Sequence, residues 1–187
     1  MSIPNILTIL RILLLPVFVG VFYLPTETSR FFAALVFTII AITDWLDGYL
    51  ARNLQQGTEF GSFLDPVADK LAVAVALVLV VGQMGVAYVA VPAAIIVGRE
   101  IVISALREWM AEIGKRTSVA VSWIGKIKTI VQMLALIALI LYKPGGFVTI
   151  KILGLVFLYV AVFLTLWSMI LYLKAAWPDL TLSFNKE

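Results

Sequence analysis

Asp44-Trp-Leu-Asp47-Gly48-Tyr-Leu-Ala51-Arg52, followed by Gly61, Asp65 and Asp69, places four carboxylates inside a strongly apolar chain. An ionised side chain at membrane depth costs at least about 2.5 kcal/mol, so four of them require a compensating partner. Asp44, Asp47 and Arg52 have the spacing of one helix face, as do Asp65 and Asp69 on the next helix. The short link between the two helices predicts that these faces meet.

The composition indicates a membrane protein. Of the 187 residues, 63% are hydrophobic and 13% are charged, and the mean hydropathy is +1.08. These values are typical of polytopic membrane proteins, and the length suits one domain. We therefore predict an all-α polytopic membrane protein with six transmembrane helices in a single domain, residues 1–187. The predicted spans are 5–24, 31–50, 67–86, 87–108, 125–142 and 150–173.

Two residue types that the chain lacks restrict the metal sites and the catalytic chemistry that it can have. The chain has no Cys and no His, which excludes disulfides, thiolate or imidazole metal sites and imidazole catalysis. Any metal must be bound by oxygen, which favours hard cations such as Mg²⁺ or Mn²⁺. A net charge of +3, without a basic tract that contains aromatics, predicts no nucleic-acid partner. Attraction to anionic lipid headgroups explains the small excess of positive charge.

Four converging carboxylates would repel one another unless cations lay between them, and four Asp suit a pair of divalent ions. Two such ions can hold a pyrophosphate during an in-line displacement, so the pattern favours phosphoryl transfer. Gly48 and Gly61 allow close approach of a ligand to the backbone, and Arg52 offers a forked donor to phosphate. In the alternative interpretation, each Asp is a helix-end charge that faces water or pairs with Arg52 or Lys70.

The full pattern Asp-x2-Asp-Gly-x2-Ala-Arg-x8-Gly-x3-Asp-x3-Asp resembles the signature of the CDP-alcohol phosphotransferases, and all eight of its fixed positions match. The resemblance extends along nearly the whole chain, from Pro4-Asn5-Ile-Leu-Thr8-Ile-Leu-Arg11 through Gly98-Arg-Glu100 and Trp123-Ile-Gly-Lys-Ile-Lys128. It implies a six-helix fold, usually homodimeric, whose site opens to the cytoplasm and laterally to lipid.

The resemblance also implies roles for particular residues. Asp44, Asp47, Asp65 and Asp69 would bind two divalent cations, and Asp69 would also take the proton from the acceptor hydroxyl. The cytidine nucleotide of the donor would be held by Asn5, Thr8, Gly48, Arg52, Thr58 and Gly61.

The acceptor has to be inferred from other residues. Arg99 lies inside the fourth apolar segment, Arg107 two turns later, and Lys126 and Lys128 begin the fifth. A cation this deep needs an anion, and Glu100, as a sequence neighbour, is expected to point away from Arg99. A phosphate on the acceptor would satisfy the four cations. The alternative for Arg107 and the lysines is snorkelling to headgroups, and only one of the two lysines is expected to face the pocket.

Taken together, these features predict transfer of the phosphatidyl group from CDP-diacylglycerol to sn-glycerol 3-phosphate. The products would be phosphatidylglycerophosphate and CMP. Two alternatives stay open: another acceptor, such as inositol phosphate, serine or inositol, or a small ion transporter. A transporter predicts carboxylates at several depths, whereas here they gather at the ends of two successive helices.

The distribution of Lys and Arg predicts the orientation. With six spans, both termini lie on the side of the loops at 51–66 and 109–124. That side of the membrane receives most of the basic residues, namely Arg52, Arg107, Lys115, Arg116, Lys126, Lys128, Lys174 and Lys186, against Arg30, Lys143 and Lys151 on the other side. The positive-inside rule then places both termini and the active site in the cytoplasm. We expect a multi-pass protein of the bacterial inner membrane, present as a homodimer.

Overall fold

The protein is described by a computed structural model that covers residues 3–54, 59–112 and 123–184. These residues form six α-helices and no strand, in agreement with the predicted all-α class. The helices are α1 (Ile3–Phe22), α2 (Ser29–Leu54), α3 (Glu59–Met84), α4 (Ala87–Glu112), α5 (Trp123–Leu141) and α6 (Val148–Phe184).

The boundary between α3 and α4 was the least distinct in the sequence, because apolar residues run almost continuously across it. The chain turns at Gly85, whose φ of +60° is a left-handed conformation that glycine adopts readily. The fourth span was predicted to begin at residue 87, and α4 does begin at Ala87. Pro16 lies inside α1, which continues through it as one helix.

Side-chain contacts define two ends of the helical assembly. At one end, Gln83 of α3 donates to the Tyr142 carbonyl at the end of α5 (2.6 Å). At this end Lys143 also donates to Glu27 across 2.6 Å. The opposite end holds the start of α1, the end of α2 and the start of α3. The motif carboxylates belong to that second end.

The core lies where the helices pack in pairs. α1 packs on α2 and α3, α5 on α2 and α6, and α4 on α3 and α6. Phe18, Phe37, Leu77 and Leu136 are fully buried between them. Outward-facing apolar side chains are widely exposed, as expected for surfaces that face hydrocarbon.

α5 and α6 approach each other closely at Gly154. A Cβ atom at this position would lie 2.8 Å from the side chain of Leu139. A larger residue would therefore require the Leu139 side chain or the helices themselves to shift.

Three helical segments among the described residues are long and apolar enough to cross a membrane. They are Asn5–Phe22, Ala87–Glu112 and Val148–Trp177. The apolar part of α5, Ile127–Leu141, is shorter. Six helices are thus observed, while six spans remain a prediction.

Candidate active site

Asp44 and Asp69 meet at a single guanidinium group. Arg11 Nη1 on α1 donates to Asp44 Oδ1 on α2 across 3.0 Å, and the same atom contacts Asp69 Oδ1 on α3. This is possible because α1 packs against both α2 and α3. The two carboxylates, about 25 residues apart in sequence, are neighbours in space as predicted.

Asp65 is held by a second residue of α1. Thr8 Oγ1 donates to Asp65 Oδ1 across 2.5 Å. Asn5, Thr8 and Arg11 follow one another at three-residue spacing, so they share one face of α1, and all three are buried. We call Thr8, Arg11, Asp44, Asp65 and Asp69 the carboxylate site.

The carboxylates of this site are accessible while its cation is not. The side chains of Asp44 and Asp69 are 31% and 43% exposed, whereas that of Arg11 is 1% exposed. The donor set consists of oxygen atoms, which is the chemistry that Mg²⁺ and Mn²⁺ prefer. Within the described part of the chain, no three acidic side chains already converge as a metal-binding group. Arg11 and Thr8 engage the carboxylates instead.

Several predicted site residues lie outside the described residues. They are Thr58 and the side chains of Asp47, Arg52 and Lys126, together with the surroundings of Gly48. Gly61 is described and is buried near the start of α3. The predicted roles of all these residues stay predictions.

A second polar group joins α4, α5 and α6. Arg99 Nη2 donates to Ser168 Oγ across 2.8 Å, and Arg99 Nη1 to Glu100 Oε1 across 3.0 Å. Lys128 Nζ reaches the same Glu100 oxygen across 2.5 Å. Arg99 and Lys128 are both buried. One carboxylate oxygen therefore bridges a guanidinium and an ammonium.

Arg107 lies next to this group. Its Nη2 donates to the Tyr172 hydroxyl across 2.6 Å. The Tyr172 ring centroid lies 5.0 Å from Arg107 Cζ and 5.8 Å from Arg99 Cζ, within reach of cation–π attraction. We call Arg99, Glu100, Arg107, Lys128, Ser168 and Tyr172 the cation cluster. Three of the four cations assigned to the acceptor phosphate are thus brought together.

The prediction that Glu100 points away from Arg99 is wrong. Adjacent residues on a helix leave the backbone about 100° apart, but both of these side chains are long. Arg99 Nη1 therefore reaches Glu100 Oε1, the same oxygen that Lys128 of α5 contacts. Glu100 supplies a protein anion where a substrate anion alone was expected. Arg99 Nε, however, is buried and has no hydrogen-bond partner among the described residues.

Sequence reasoning gave no site role to Arg11, Glu100, Ser168 or Tyr172. For Arg11 a signal existed, since an arginine inside an apolar run and one turn after Thr8 needs an anion. Ser168 and Tyr172 carried no comparable signal, because a hydroxyl in a membrane helix can bond to its own backbone. Their role depends on how α6 packs against α4.

Comparison with known proteins identifies the family. A family model described as CDP-alcohol phosphatidyltransferase matches residues 1–167. The chain belongs to this family. The CDP-alcohol phosphatidyltransferase match includes every motif carboxylate and the cations of α4 and α5, so both polar groups lie within the shared region.

Curated relatives of this CDP-alcohol phosphatidyltransferase match it along nearly its whole length. A protein of Shigella flexneri serotype 5b (strain 8401) is 56% identical over 179 residues, which cover 96% of this chain and 97% of the relative. A protein of Escherichia coli (strain K12) gives the same identity and coverage. Both are named CDP-diacylglycerol--glycerol-3-phosphate 3-phosphatidyltransferase.

Proposed function

We propose that this enzyme transfers the phosphatidyl group from CDP-diacylglycerol to sn-glycerol 3-phosphate, giving phosphatidylglycerophosphate and CMP. The observation that carries the proposal is the 56% identity, over 96% of the chain, to relatives named for this reaction. The two polar groups agree with it, since one offers oxygen ligands and the other offers cations. Family membership favours a transferase over the ion-transporter alternative.

Asp44, Asp47, Asp65 and Asp69 are proposed to hold two divalent cations, Mg²⁺ or Mn²⁺. The adjacency of Asp44 and Asp69 and the exposure of both carboxylates support this assignment. When bound, such ions would supply positive charge to the pyrophosphate oxygens of the donor.

The donor nucleotide is proposed to contact Asn5, Thr8, Gly48, Arg52, Thr58 and Gly61. Asn5 and Thr8 lie on the face of α1 that is directed toward the motif carboxylates. Thr8 holds Asp65, so a nucleotide bound there would lie beside the carboxylate site.

The acceptor phosphate is proposed to bind Arg99, Arg107, Lys126 and Lys128. The convergence of three of these cations on Glu100 and Tyr172 supports the assignment. Arg99 Nε is a buried donor with no acceptor in the described part of the chain, and buried donors are costly when unsatisfied. A phosphate oxygen would satisfy it.

Asp69 is proposed to be the general base. Its carboxylate would accept the proton of the glycerol phosphate 1-hydroxyl, and the resulting oxygen would attack the β-phosphorus of CDP-diacylglycerol. A new phosphorus–oxygen bond forms as the bond to CMP breaks, and CMP leaves with the electron pair. Because the chain has no Cys or His nucleophile, direct displacement needs no covalent enzyme intermediate.

We further propose that the chain is one domain, residues 1–187, with six spans, in the bacterial inner membrane. The three apolar segments and the six successive helices support several crossings. Both termini would face the cytoplasm, by the distribution of Lys and Arg. A homodimer is the expected assembly.

A purified-protein assay tests the function. CDP-diacylglycerol, Mg²⁺ or Mn²⁺ and one alcohol at a time are supplied, and CMP release is measured. The alcohols are sn-glycerol 3-phosphate, glycerol, inositol phosphate, inositol and serine. We expect release with sn-glycerol 3-phosphate and little with its neutral analogue glycerol. Release with another alcohol in place of sn-glycerol 3-phosphate would refute the acceptor and leave the family unchanged.

A further inference from the structure

Arg11 has an unusual place among the charged residues of this chain. Its side chain is 1% exposed, yet one nitrogen contacts carboxylates on two other helices. It lies inside the apolar run of α1, where a lone guanidinium would be costly. Its burial is therefore compensated by Asp44 and Asp69, both of which belong to the proposed cation ligands.

The charge balance of this contact depends on whether divalent cations are bound. Without them, two adjacent carboxylates repel each other, and a guanidinium between them offsets that repulsion. With cations bound by the same carboxylates, the guanidinium would be a like charge beside them. The group that stabilises the metal-free site therefore opposes the metal-bound one.

We propose that Arg11 is a positioning residue that holds Asp44 and Asp69 together in the metal-free enzyme and thereby weakens divalent cation binding. This inference rests on the proposed metal site. It assigns Arg11 an effect on cation affinity that a purely structural arginine would not have.

Arg30 provides a matched control. It is also an arginine on a membrane helix, near the other end of the assembly, and its guanidinium carbon lies 3.7 Å from the Phe22 ring centroid. The described contacts of Arg30 include no carboxylate. Arg30→Met therefore removes a comparable guanidinium without changing the carboxylate site.

The test compares Arg11→Met, Arg30→Met and the parent protein in detergent, with and without Mn²⁺. Thermal unfolding gives the stability, and Mn²⁺ electron paramagnetic resonance gives the affinity. We expect Arg11→Met to lower the melting temperature strongly without Mn²⁺ and much less at saturating Mn²⁺. By linkage, it should bind Mn²⁺ about tenfold more tightly than the parent. Arg30→Met should lower the melting temperature equally in both conditions.

Arg11→Lys covers the case in which Arg11→Met does not fold. Lysine keeps the charge but loses the planar fork, so it should bind Mn²⁺ more tightly than the parent and less tightly than Arg11→Met. An equal fall in melting temperature with and without Mn²⁺ would overturn the inference about Arg11. Unchanged or weaker Mn²⁺ binding in both Arg11 variants would also overturn it, and either result would leave the proposed metal site standing. A parent protein that binds no Mn²⁺ would overturn the proposed metal site as well.

Discussion

The carboxylate site and the cation cluster are opposite in sign and similar in construction. The first is built from α1, α2 and α3, and the second from α4, α5 and α6. Each contains one residue of the opposite charge, Arg11 among aspartates and Glu100 among cations. Arg11 bridges Asp44 of α2 and Asp69 of α3, and Glu100 bridges Arg99 of its own helix and Lys128 of α5. In both groups the bridging residue offsets the repulsion between the two like charges.

The two groups differ in which charge is enclosed. In the carboxylate site the aspartates are 31% and 43% exposed and the bridging arginine is buried. In the cation cluster Arg99 and Lys128 are buried, at 8% exposure, and the bridging Glu100 is 27% exposed. The exposed aspartates are accessible to a hydrated ion, whereas the enclosed cations suit a substrate group that sheds its water on binding.

The largest expected effect comes from removing the reactive charge of the carboxylate site. Asp69→Asn should lower turnover by about 10²–10⁴-fold, because the amide cannot accept the proton of the acceptor hydroxyl. CMP release by purified protein measures this, and nucleotide binding should persist in part. Glu108→Gln, which changes an exposed carboxylate on α4, should leave turnover unchanged. Normal turnover by Asp69→Asn would exclude Asp69 as the base.

Glu100→Gln removes the one described carboxylate of the cation cluster. Arg99 and Lys128 would then lie buried without their anion, and we expect a loss of about 3 kcal/mol in the free energy of unfolding. Added sn-glycerol 3-phosphate should restore part of this stability, because its phosphate would take the place of the carboxylate. Denaturant unfolding with and without the acceptor measures both effects. Glu112→Gln, an exposed change on the same helix, serves as the control.

If Glu100→Gln is as stable as the parent protein, Glu100 does not balance the cations. The similarity between the two polar groups would then be limited to geometry.

Ser168→Ala should have a moderate effect on the acceptor. The hydroxyl accepts a hydrogen bond from Arg99 Nη2, and losing it should cost about 1 kcal/mol, which is about a fivefold rise in KM for sn-glycerol 3-phosphate. The kcat should change much less, because Ser168 is proposed to position Arg99. Ser104→Ala makes the same chemical change on α4, where the hydroxyl bonds to the Glu100 carbonyl. Equal KM changes in both variants would contradict a specific role for Ser168.

The smallest effect is expected at the opposite end, where Lys143 and Glu27 form an exposed ion pair. The Lys143 ammonium lowers the pKa of Glu27 below its usual range. A lowered folded-state pKa adds stability above the ordinary pKa of the carboxyl, and this stability is lost as the pH falls through the folded value. Lys143→Met should therefore lower the melting temperature slightly at neutral pH and not in strong acid.

High salt should also remove the small difference between Lys143→Met and the parent protein, because exposed pairs are screened. Melting curves across pH at two ionic strengths check this. A difference that persists in acid would show that Lys143 stabilises the protein through packing. The difference between this ion pair and the ion pairs of Glu100 would then come from their positions in the molecule and not from their exposure to solvent.

The sequence was sufficient for the features that follow from periodicity and from the cost of charge in lipid. The number of helices and the boundary between α3 and α4 follow from the apolar runs. Asp44, Asp69, Arg99 and Lys128 were singled out because buried charge needs a partner. Which partner each one has could not be read from the sequence, because it depends on helix packing. The structure shows Arg11 and Glu100 as bridging residues, because Arg11 of α1 contacts α2 and α3, and Glu100 of α4 contacts Lys128 of α5.

Gly154 also fixes the register between α5 and α6. From its contact with Leu139, Lys128 lies about 16 Å back along α5, and Ser168 lies about 21 Å forward along α6, toward the same end of the molecule. A slip of one residue would shift Ser168 by about 1.5 Å and turn it by about 100° about the helix axis. The hydroxyl would then no longer face Arg99. A hydrogen atom in place of a methyl group thus sets the height at which α5 and α6 present Lys128 and Ser168 to the cation cluster.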